Sequence, residues 1–550
     1  RLALTPLKRM PHRHNIPIPT LFSPLARLDR LGPAKEIAQI AAAIGREFDF
    51  DILREICDWP EAELRAAVGD LMRTGLIVTE RGTAGAGFSF THVLLQQAAR
   101  GTMLHERAQQ IHRLIAECIE LRDHNAAFAR PEVLAEHFAD AGLFDRAADY
   151  WLLAGVKAAK TWAKADAVRT FRKGLEAAKL LPESDDRSRR LLRFELELGD
   201  VLYAAQGYVT GEGSAAYQRA IALSGKLGEP ESTIRALDGL FGTHFNSGQF
   251  GEALAASDEL IRVGEDGGYL NALVIGLQFK GMTLFCQGEL VAARQYLERA
   301  LSHKDSADKV GSDFPSMAMI YLSWTLHILG YRRQALKLYL EAEAAVRQQS
   351  PYRLAACLGN GCVLFAFREE SNLIARLADE LLPLAQENGF NLWARVARFF
   401  GGLAASALDD NLAGSHMMAL TENDLEDQEV DKSCYLGLLA KAFMNSGQFD
   451  IAAETVEKGL REAEKIGEHY FTAALLSIRG EIELANGVGD RAAEASFREA
   501  IAFARQQNAR SWELQATNSL AKLLRSQGRF EEAHAELREV NDWFIAADVE

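Results

Sequence analysis

Along most of the chain, apolar and polar positions alternate with helical spacing, and one local pattern recurs within them. A small residue is followed four positions later by a larger one and, three positions after that, by a small or aliphatic one. From Ala253 onward the pattern returns at steps of 40, 42, 40, 38, 39, 41 and 40 residues. The pattern occurs at Ala147/Trp151/Ala154, Ala167/Phe171/Gly174, Ala253/Ser257/Leu260, Ala293/Leu297/Ala300, Ala335/Tyr339/Ala342, Ala375/Asp379/Leu382, Ala413/Met417/Leu420, Ala452/Val456/Gly459, Ala493/Phe497/Ala500 and Ala533/Leu537/Val540. A step this regular indicates repeated structural units.

Spacings of four and three place these residues on one face of a helix. The small residue lets a partner helix approach closely, and the larger residue fills the groove beside it. The turns between helices contain Gly142, Gly248, Gly447 and Gly528, and glycine readily adopts the left-handed conformation that ends a helix. The sequence therefore predicts an all-α fold, an α-solenoid of ten or eleven antiparallel helix pairs over residues 128–550.

These units resemble the tetratricopeptide repeat, although that family's period is roughly 34 residues. Similar long repeats occur in the solenoid of the maltose-regulon activator family. The resemblance implies that the first helix of each pair lines a concave groove able to hold a peptide or small ligand. Trp324 and Phe367 are also compatible with a place in the hydrophobic core. Transferring the family's groove positions to this chain gives Asp238, Gln278, Trp324, His327, Asn360, Phe367, Arg368 and Arg398.

The first part of the chain has a different pattern. Helical periodicity over residues 34–44, 50–57 and 60–74 is followed by apolar runs at 75–79 and 88–91, which read as strands joined by a Gly-rich turn. Helices followed by a β-hairpin are the order of a winged helix. We expect a winged-helix-like domain over residues 17–123 and a disordered extension over residues 1–16.

The residues of this part also resemble a family. Stretches beginning at Ala26 (ARLDRL), Ile44 (IGREF), Leu71 (LMRTGLI) and Phe88 (FSFTHVLLQQAA) look like the segment that follows the NTPase core in multidomain signalling ATPases. Many bacterial members carry a class III nucleotidyl cyclase before the ATPase, and others end in a DNA-binding helix-turn-helix. No GxxxxGK[ST] motif occurs in these 550 residues. The resemblance implies the regulatory half of such a protein, without catalytic motifs of its own.

Charge and cysteine content limit the classes of partner, metal and cofactor expected for this chain. Residues 1–120 carry a net charge of +1 and residues 121–550 one of −16, and an acidic solenoid repels phosphate backbones. The helix before the hairpin carries Arg65 and Arg73 against three acidic residues, a poor composition for binding DNA. Six scattered cysteines without a metal-ligand spacing read as reduced thiols of a cytoplasmic protein. We expect no cofactor and no bound metal.

The sequence thus predicts a non-catalytic sensor or scaffold. A protein, peptide or small-molecule effector would bind the groove, and the solenoid would regulate an attached or partner signalling NTPase. Two alternatives remain open at this stage. The chain could belong to a full-length nucleotidyl cyclase or ATPase, or it could be a transcription regulator whose winged helix binds DNA.

Overall fold

A computed structural model describes residues 24–80, 87–122, 129–161, 163–206, 211–303, 314–408 and 429–547. Within these ranges the chain forms 26 helices and three strands. It divides into two compact units, Arg1–Phe194 and Glu195–Glu550. The predicted extension over residues 1–16 and the repeat instance beginning at Ala413 lie outside the described residues. The predicted domain boundaries at 17, 123 and 128 stay predictions.

The first unit combines helices with one small sheet. Its elements are α1 (Pro24–Asp29), α2 (Ala34–Ile44), β1 (Glu47–Asp49), α3 (Phe50–Ile56), α4 (Glu61–Arg73), β2 (Ile77–Thr79), β3 (Gly87–Phe90), α5 (Val93–Gly101), α6 (His105–Arg122), α7 (Pro131–Asp140), α8 (Phe144–Lys160) and α9 (Lys164–Lys179). The next helix, α10 (Asp185–Gln206), includes the unit boundary.

The sheet has three antiparallel strands in the order β1-β3-β2. Phe48 of β1 pairs with Phe88 of β3, and their rings stack with centroids 5.6 Å apart. The sequence predicted β2 and β3 but not β1, because a three-residue strand beside a helix is too short to show an alternating pattern. The winged-helix interpretation of this region therefore stays a prediction.

The second unit consists of helix pairs. Its helices are α11 (Gly211–Leu227), α12 (Pro230–Asn246), α13 (Phe250–Gly267), α14 (Leu270–Cys286), α15 (Leu290–Leu301), α16 (Phe314–Ile328), α17 (Arg332–Val346), α18 (Pro351–Phe367), α19 (Ser371–Glu387), α20 (Asn391–Leu408), α21 (Lys432–Asn445), α22 (Phe449–Ile466), α23 (Thr472–Ala485), α24 (Asp490–Gln506), α25 (Arg510–Ser526) and α26 (Phe530–Ala547). The predicted all-α solenoid is confirmed.

Each pair closes on a small residue, as the repeat pattern predicted. A Cβ at Gly281 would lie 2.6 Å from Cγ of Leu297, so only glycine allows α14 and α15 to approach this closely. In the next pair Ser323 takes the same role, and its hydroxyl donates a hydrogen bond of 2.8 Å to the carbonyl oxygen of Ala335. Burial of the larger residue at this contact, such as Leu297, supplies about 1.5–3 kcal/mol.

One instance of the pattern was assigned one position too late. In α19 the buried residues at the helix contact are Ile374, Ala378 and Leu381, whereas Asp379 is exposed. Sequence spacing alone favoured Ala375 because it is small. The buried face instead begins at Ile374, because the residues four and seven positions after it, Ala378 and Leu381, are apolar and buried.

The turns within pairs have the expected backbone. Gly142, Gly248, Gly447 and Gly528 have φ angles of +74°, +69°, +76° and +77°, respectively. Each follows the end of a first helix and places one residue in the left-handed region, where a side chain would be strained.

Late repeats of the second unit contact the turns of early ones, and we call this set the closure contacts. The amide nitrogen of His469 donates to the carbonyl oxygen of Cys286 over 2.8 Å. Ser511 donates through its hydroxyl to the carbonyl oxygen of His327 over 2.5 Å. The rings of Tyr331 and Trp543 meet with centroids 5.8 Å apart. These partners lie about 180 to 210 residues apart in sequence, so the helix pairs of this unit return onto themselves.

Replacing Gly155 by alanine should destabilise the protein. The ring of Phe171, itself fully buried, occupies the space that a Cβ at Gly155 would need. Overpacking of this kind costs about 1–3 kcal/mol. Gly69→Ala in α4 is the control, since no atom lies within 4 Å of its added Cβ and alanine favours helix by about 0.5–1 kcal/mol. Urea unfolding followed by circular dichroism measures both. A Gly155→Ala protein as stable as Gly69→Ala would contradict the close-packing assignment.

Candidate functional site

A cavity of the second unit lined by its successive helix pairs, called here the inner cavity, has a volume of about 630 Å³. Its lining residues come mainly from the first helices of successive pairs. Asp200, Asp238 and Gln278 show the arrangement, because they lie 38 and 40 residues apart on α10, α12 and α14. The repeat length therefore brings equivalent positions side by side along the wall. A volume of this size is typical of sites that bind small molecules or a few peptide residues.

Aromatic side chains make up much of the wall. Phe241 and Phe279 stack with ring centroids 3.7 Å apart and planes 5° from parallel, and Phe245 lies 5.2 Å from Phe241. Stacked rings on neighbouring helices fix the spacing between pairs at this level. The nine aromatic residues that line the inner cavity are Tyr203, Tyr217, Phe241, Phe245, Phe279, Tyr321, Tyr352, Trp393 and Tyr435.

Three carboxylates and one guanidinium are the charged groups of this wall. Arg235 is held by Glu197 at 2.9 Å and by Asp200, and Asp200 also accepts a hydrogen bond of 2.7 Å from the hydroxyl of Tyr217. Asp238, in contrast, has neither a hydrogen bond nor an ion pair with another described residue. Enclosure by the surrounding protein and the nearby charge of Asp200 raise the pKa of Asp238 to about 6.

Asp431 belongs to a buried acidic cluster at the start of α21. Its backbone is left-handed, with φ of +65°, and its carboxylate accepts a hydrogen bond of 2.7 Å from the hydroxyl of Tyr470. The amide nitrogen of Asp431 and the hydroxyl of Ser433 both donate to Glu468, each over 2.6 Å. Burial raises the pKa of both carboxyl groups, and for Glu468 the charge of Asp431 raises it further. One wall of the inner cavity thus connects directly to α21 and to the turn before α23.

Among the described residues of the wall, two polar atoms lack hydrogen-bond partners. Gln278 is only 6% exposed, and its Oε1 accepts no hydrogen bond, while its Nε2 makes a weak 3.7 Å contact to the sulfur of Met282. The indole nitrogen of Trp393 is also buried without a partner. A buried polar atom left without a partner costs about 1–3 kcal/mol. Two residues of the inner cavity therefore carry one unused acceptor and one unused donor just behind its wall.

The predicted groove residues fall into different places. Asp238, Gln278 and Asn360 line the inner cavity. Trp324 is buried in the core, where its indole nitrogen donates to the carbonyl oxygen of Asn360 over 3.2 Å. Arg398 is exposed and lies outside the inner cavity.

The other three predicted residues, His327, Phe367 and Arg368, line a smaller cavity of about 150 Å³ beside α25. Burial and the charges of Arg332 and Arg368 lower the pKa of His327 to about 3, so this imidazole is neutral at physiological pH. Arg368 is itself engaged by Glu370 at 2.6 Å. This cavity adjoins the closure contacts, because the carbonyl oxygen of His327 accepts from Ser511.

Sequence reasoning missed two important residues of the inner cavity, Trp393 and Asp431. Both lie near the beginning of a helix. The groove positions transferred by repeat spacing lie further along the first helix of each pair. In α20 the cavity is lined by Leu392, Trp393 and Val396. An aromatic residue close to a helix start was a signal that could have directed attention to Trp393.

The first unit offers weaker candidates. In α4, Arg65 pairs with Glu61 at 2.6 Å and Arg73 pairs with Asp70, so both guanidinium groups are neutralised on their own helix. His112 and His137 form a buried pair whose Nδ1 atoms lie 2.9 Å apart. Burial is the main cause that lowers the pKa of both imidazoles.

Across the described ranges, no three His, Cys, Asp or Glu side chains are grouped so that they could hold a metal ion. Among the helices that the structure describes, none has the length and apolar character needed to cross a membrane.

Comparisons with known proteins find matches of low sequence similarity. No protein-family model matches it. An uncharacterised protein of Rhizobium meliloti (strain 1021) is 23% identical over 514 residues, which cover 90% of this chain. The chain spans about half, 49%, of that curated relative's length.

Solved structures with similar architecture include aspartyl phosphate phosphatase F from Bacillus subtilis, with 11% identity, 82% of this chain and 96% of that chain covered, and a TM-score of 0.39. The quorum sensor NprR from B. thuringiensis, in its apo form, matches with 13% identity, 71% and 97% coverage, and a TM-score of 0.30. A signal-transduction ATPase from Pyrococcus horikoshii with a tetratricopeptide repeat sensor matches with 12% identity, 94% and 64% coverage, and a TM-score of 0.23.

Replacing Glu468 by glutamine should stabilise the protein most at alkaline pH. Because the folded-state pKa of Glu468 lies above its ordinary value, the protonated side chain stabilises the fold fully below about 4.5, and this contribution is lost as the pH rises through about 8. Glutamine stays neutral, so its advantage over glutamate should grow between these limits to on the order of 1 kcal/mol or more. Chemical denaturation at several pH values measures it.

The exposed Glu454→Gln on α22 is the matched control, and its effect should not change with pH in this way. A Glu468→Gln advantage that is constant from acid to alkaline pH would contradict the buried, protonatable cluster.

Proposed function

We propose that this chain is a non-catalytic sensor or scaffold module that binds a peptide or small-molecule effector in the inner cavity. The observation that carries the proposal is Gln278. The residue lines a cavity of about 630 Å³, and its side-chain carbonyl oxygen is buried and has no hydrogen-bond partner among the described residues. A core position that served packing alone would be better filled by an apolar residue of similar size. A ligand that donates a hydrogen bond to this oxygen would remove the free-energy cost of leaving it unpaired.

The proposed signal passes from the cavity wall to the closure contacts. Asp431 faces the cavity and is bonded to Tyr470 and, through its amide, to Glu468. The carbonyl oxygen of Tyr470 in turn accepts from the indole nitrogen of Trp512 over 3.0 Å. A ligand that displaces Asp431 would therefore change the packing of α23 and α25 against the early repeats.

The final step of the proposal is regulation of an attached or partner signalling NTPase. Its support is the resemblance of the segments at Ile44, Leu71 and Phe88 to the region after the NTPase core of signalling ATPases. The solenoid would act as the sensing part and the first unit as the connection to the enzyme. Differential contacts in the bound and free states would supply the coupling free energy.

Filling the inner cavity should abolish ligand capture. Leu392→Trp places a large ring at a partly exposed position of the wall, close to the start of α20. Leu408→Trp, at the exposed other end of the same helix, is the control. The immobilised 550-residue protein is presented with a random pentapeptide pool and a metabolite extract, and retained compounds are quantified by mass spectrometry. We expect retention to fall at least about ten-fold with Leu392→Trp only.

Circular dichroism melting confirms that both variants are folded. Equal retention by the two variants, or no retained compound with the unaltered protein, would overturn the proposal that the inner cavity is the sensing site.

The relay to an NTPase is tested on the natural full-length gene product. Nucleotide hydrolysis and cyclisation are measured with and without a compound captured in the inner cavity. We expect the rate to change by at least about two-fold, and Leu392→Trp to remove the response. A gene product that neither turns over nucleotides nor alters the turnover of an NTPase bound to it would contradict this step.

A further inference from the structure

The charges of the inner cavity do not balance. Arg235 is the only cation of the described wall, and it is already shared between Glu197 and Asp200. Asp238 and Asp431 also face the cavity, and no described cation pairs with either. Lys432, the residue next to Asp431, points its ammonium group to Glu462 at 3.7 Å instead. The site is therefore one positive charge or more short of neutrality.

The unpaired acceptor of Gln278 also favours a ligand that donates hydrogen bonds. Gln278 is more than nine-tenths buried, and its Oε1 can only accept a hydrogen bond. Carboxylates at Asp238 and Asp431 are likewise acceptors. A group that fits all three must be a donor, and ammonium and guanidinium groups carry three and five N–H donors with the required charge.

One residue of the wall instead carries a hydrogen-bond donor that lacks an acceptor. The indole N–H of Trp393 is buried without an acceptor. A carbonyl oxygen on the ligand satisfies it. The aromatic wall adds a third feature, because cations near the faces of Tyr and Trp rings gain about 0.5–2 kcal/mol.

We infer that the inner cavity accepts a ligand with a positively charged ammonium or guanidinium group and a nearby carbonyl, the chemistry of a lysine or arginine within a peptide or of an amine-bearing small molecule. This inference rests on the proposed sensing function and specifies its ligand class. The cation lies among Asp238, Asp431 and Gln278, and the carbonyl accepts from Trp393.

The probes are pools of acetylated, amidated pentapeptides with one fixed central residue and randomised flanks. The fixed residue is arginine, lysine, glutamine, leucine or glutamate. Spermidine and phenethylamine represent amines without a peptide backbone. Binding to the 550-residue protein is followed by isothermal titration calorimetry at low salt, and pool enrichment by mass spectrometry. We expect the arginine or lysine pools to be retained at least about ten-fold better than the glutamine and glutamate pools.

Two variants alter the wall, and a third is their control. Asp238→Asn combined with Asp431→Asn removes the charge, and Asp379→Asn on the exposed face of α19 is the matched control. Gln278→Leu removes the unpaired acceptor without opening a large cavity. It should leave thermal stability unchanged or higher, while weakening retention of the cationic probe at least about five-fold. A residue that only maintains the fold would show the reverse pattern.

The outcomes separate the inference from the function on which it rests. Preferential retention of the glutamine, leucine or glutamate pools, lost in Leu392→Trp, would overturn the charge class and keep the sensing cavity. Retention of spermidine or phenethylamine but not of basic peptides would support the inference with a small amine as the source. If no probe is retained, or if retention is insensitive to the variants, the cationic ligand class is overturned.

Discussion

Close approach of two helices at one small residue is the contact on which the rest of the second unit depends. Where Gly281 meets Leu297 no larger residue fits, and Ser323 holds the next pair together by a hydrogen bond to the backbone of Ala335. Repetition of that contact about every 40 residues places the first helices of successive pairs next to each other. The inner cavity follows from this geometry, because equivalent positions such as Asp238 and Gln278 then face a common space.

The sequence was sufficient for the helix pairs because their contacts are local and periodic. Small residues, Gly turns and helix lengths all recur, so each repeat supports the assignment of the next. The predicted helix register was wrong at Ala375, because a small residue one position from the buried face matched the repeat pattern. The pattern of apolar and polar residues also missed β1, because this strand is stabilised by pairing with β3 rather than by its own three residues. Repeat spacing missed Trp393 and Asp431, since their position depends on where helices begin.

The cavity wall combines features that oppose stability. The surrounding protein favours the neutral forms of Asp238 and Asp431, and Gln278 holds an acceptor that no described residue satisfies. Stacked rings such as Phe241 and Phe279 offset this cost by burying large apolar surfaces beside the polar groups. A groove built this way is rigid in its aromatic parts and charged at a few points, which suits selective recognition.

The closure contacts have a consequence for how such a protein can evolve. In an open array, a repeat can be gained or lost because each unit touches only its neighbours. Here Cys286 must meet His469, and His327 must meet Ser511, across nearly two hundred residues. Deleting one unit between them would move every later partner past its counterpart. The closure contacts therefore constrain how many repeats lie between an early repeat and the late repeat that it meets, so exchange of side chains disturbs this unit less than gain or loss of a repeat.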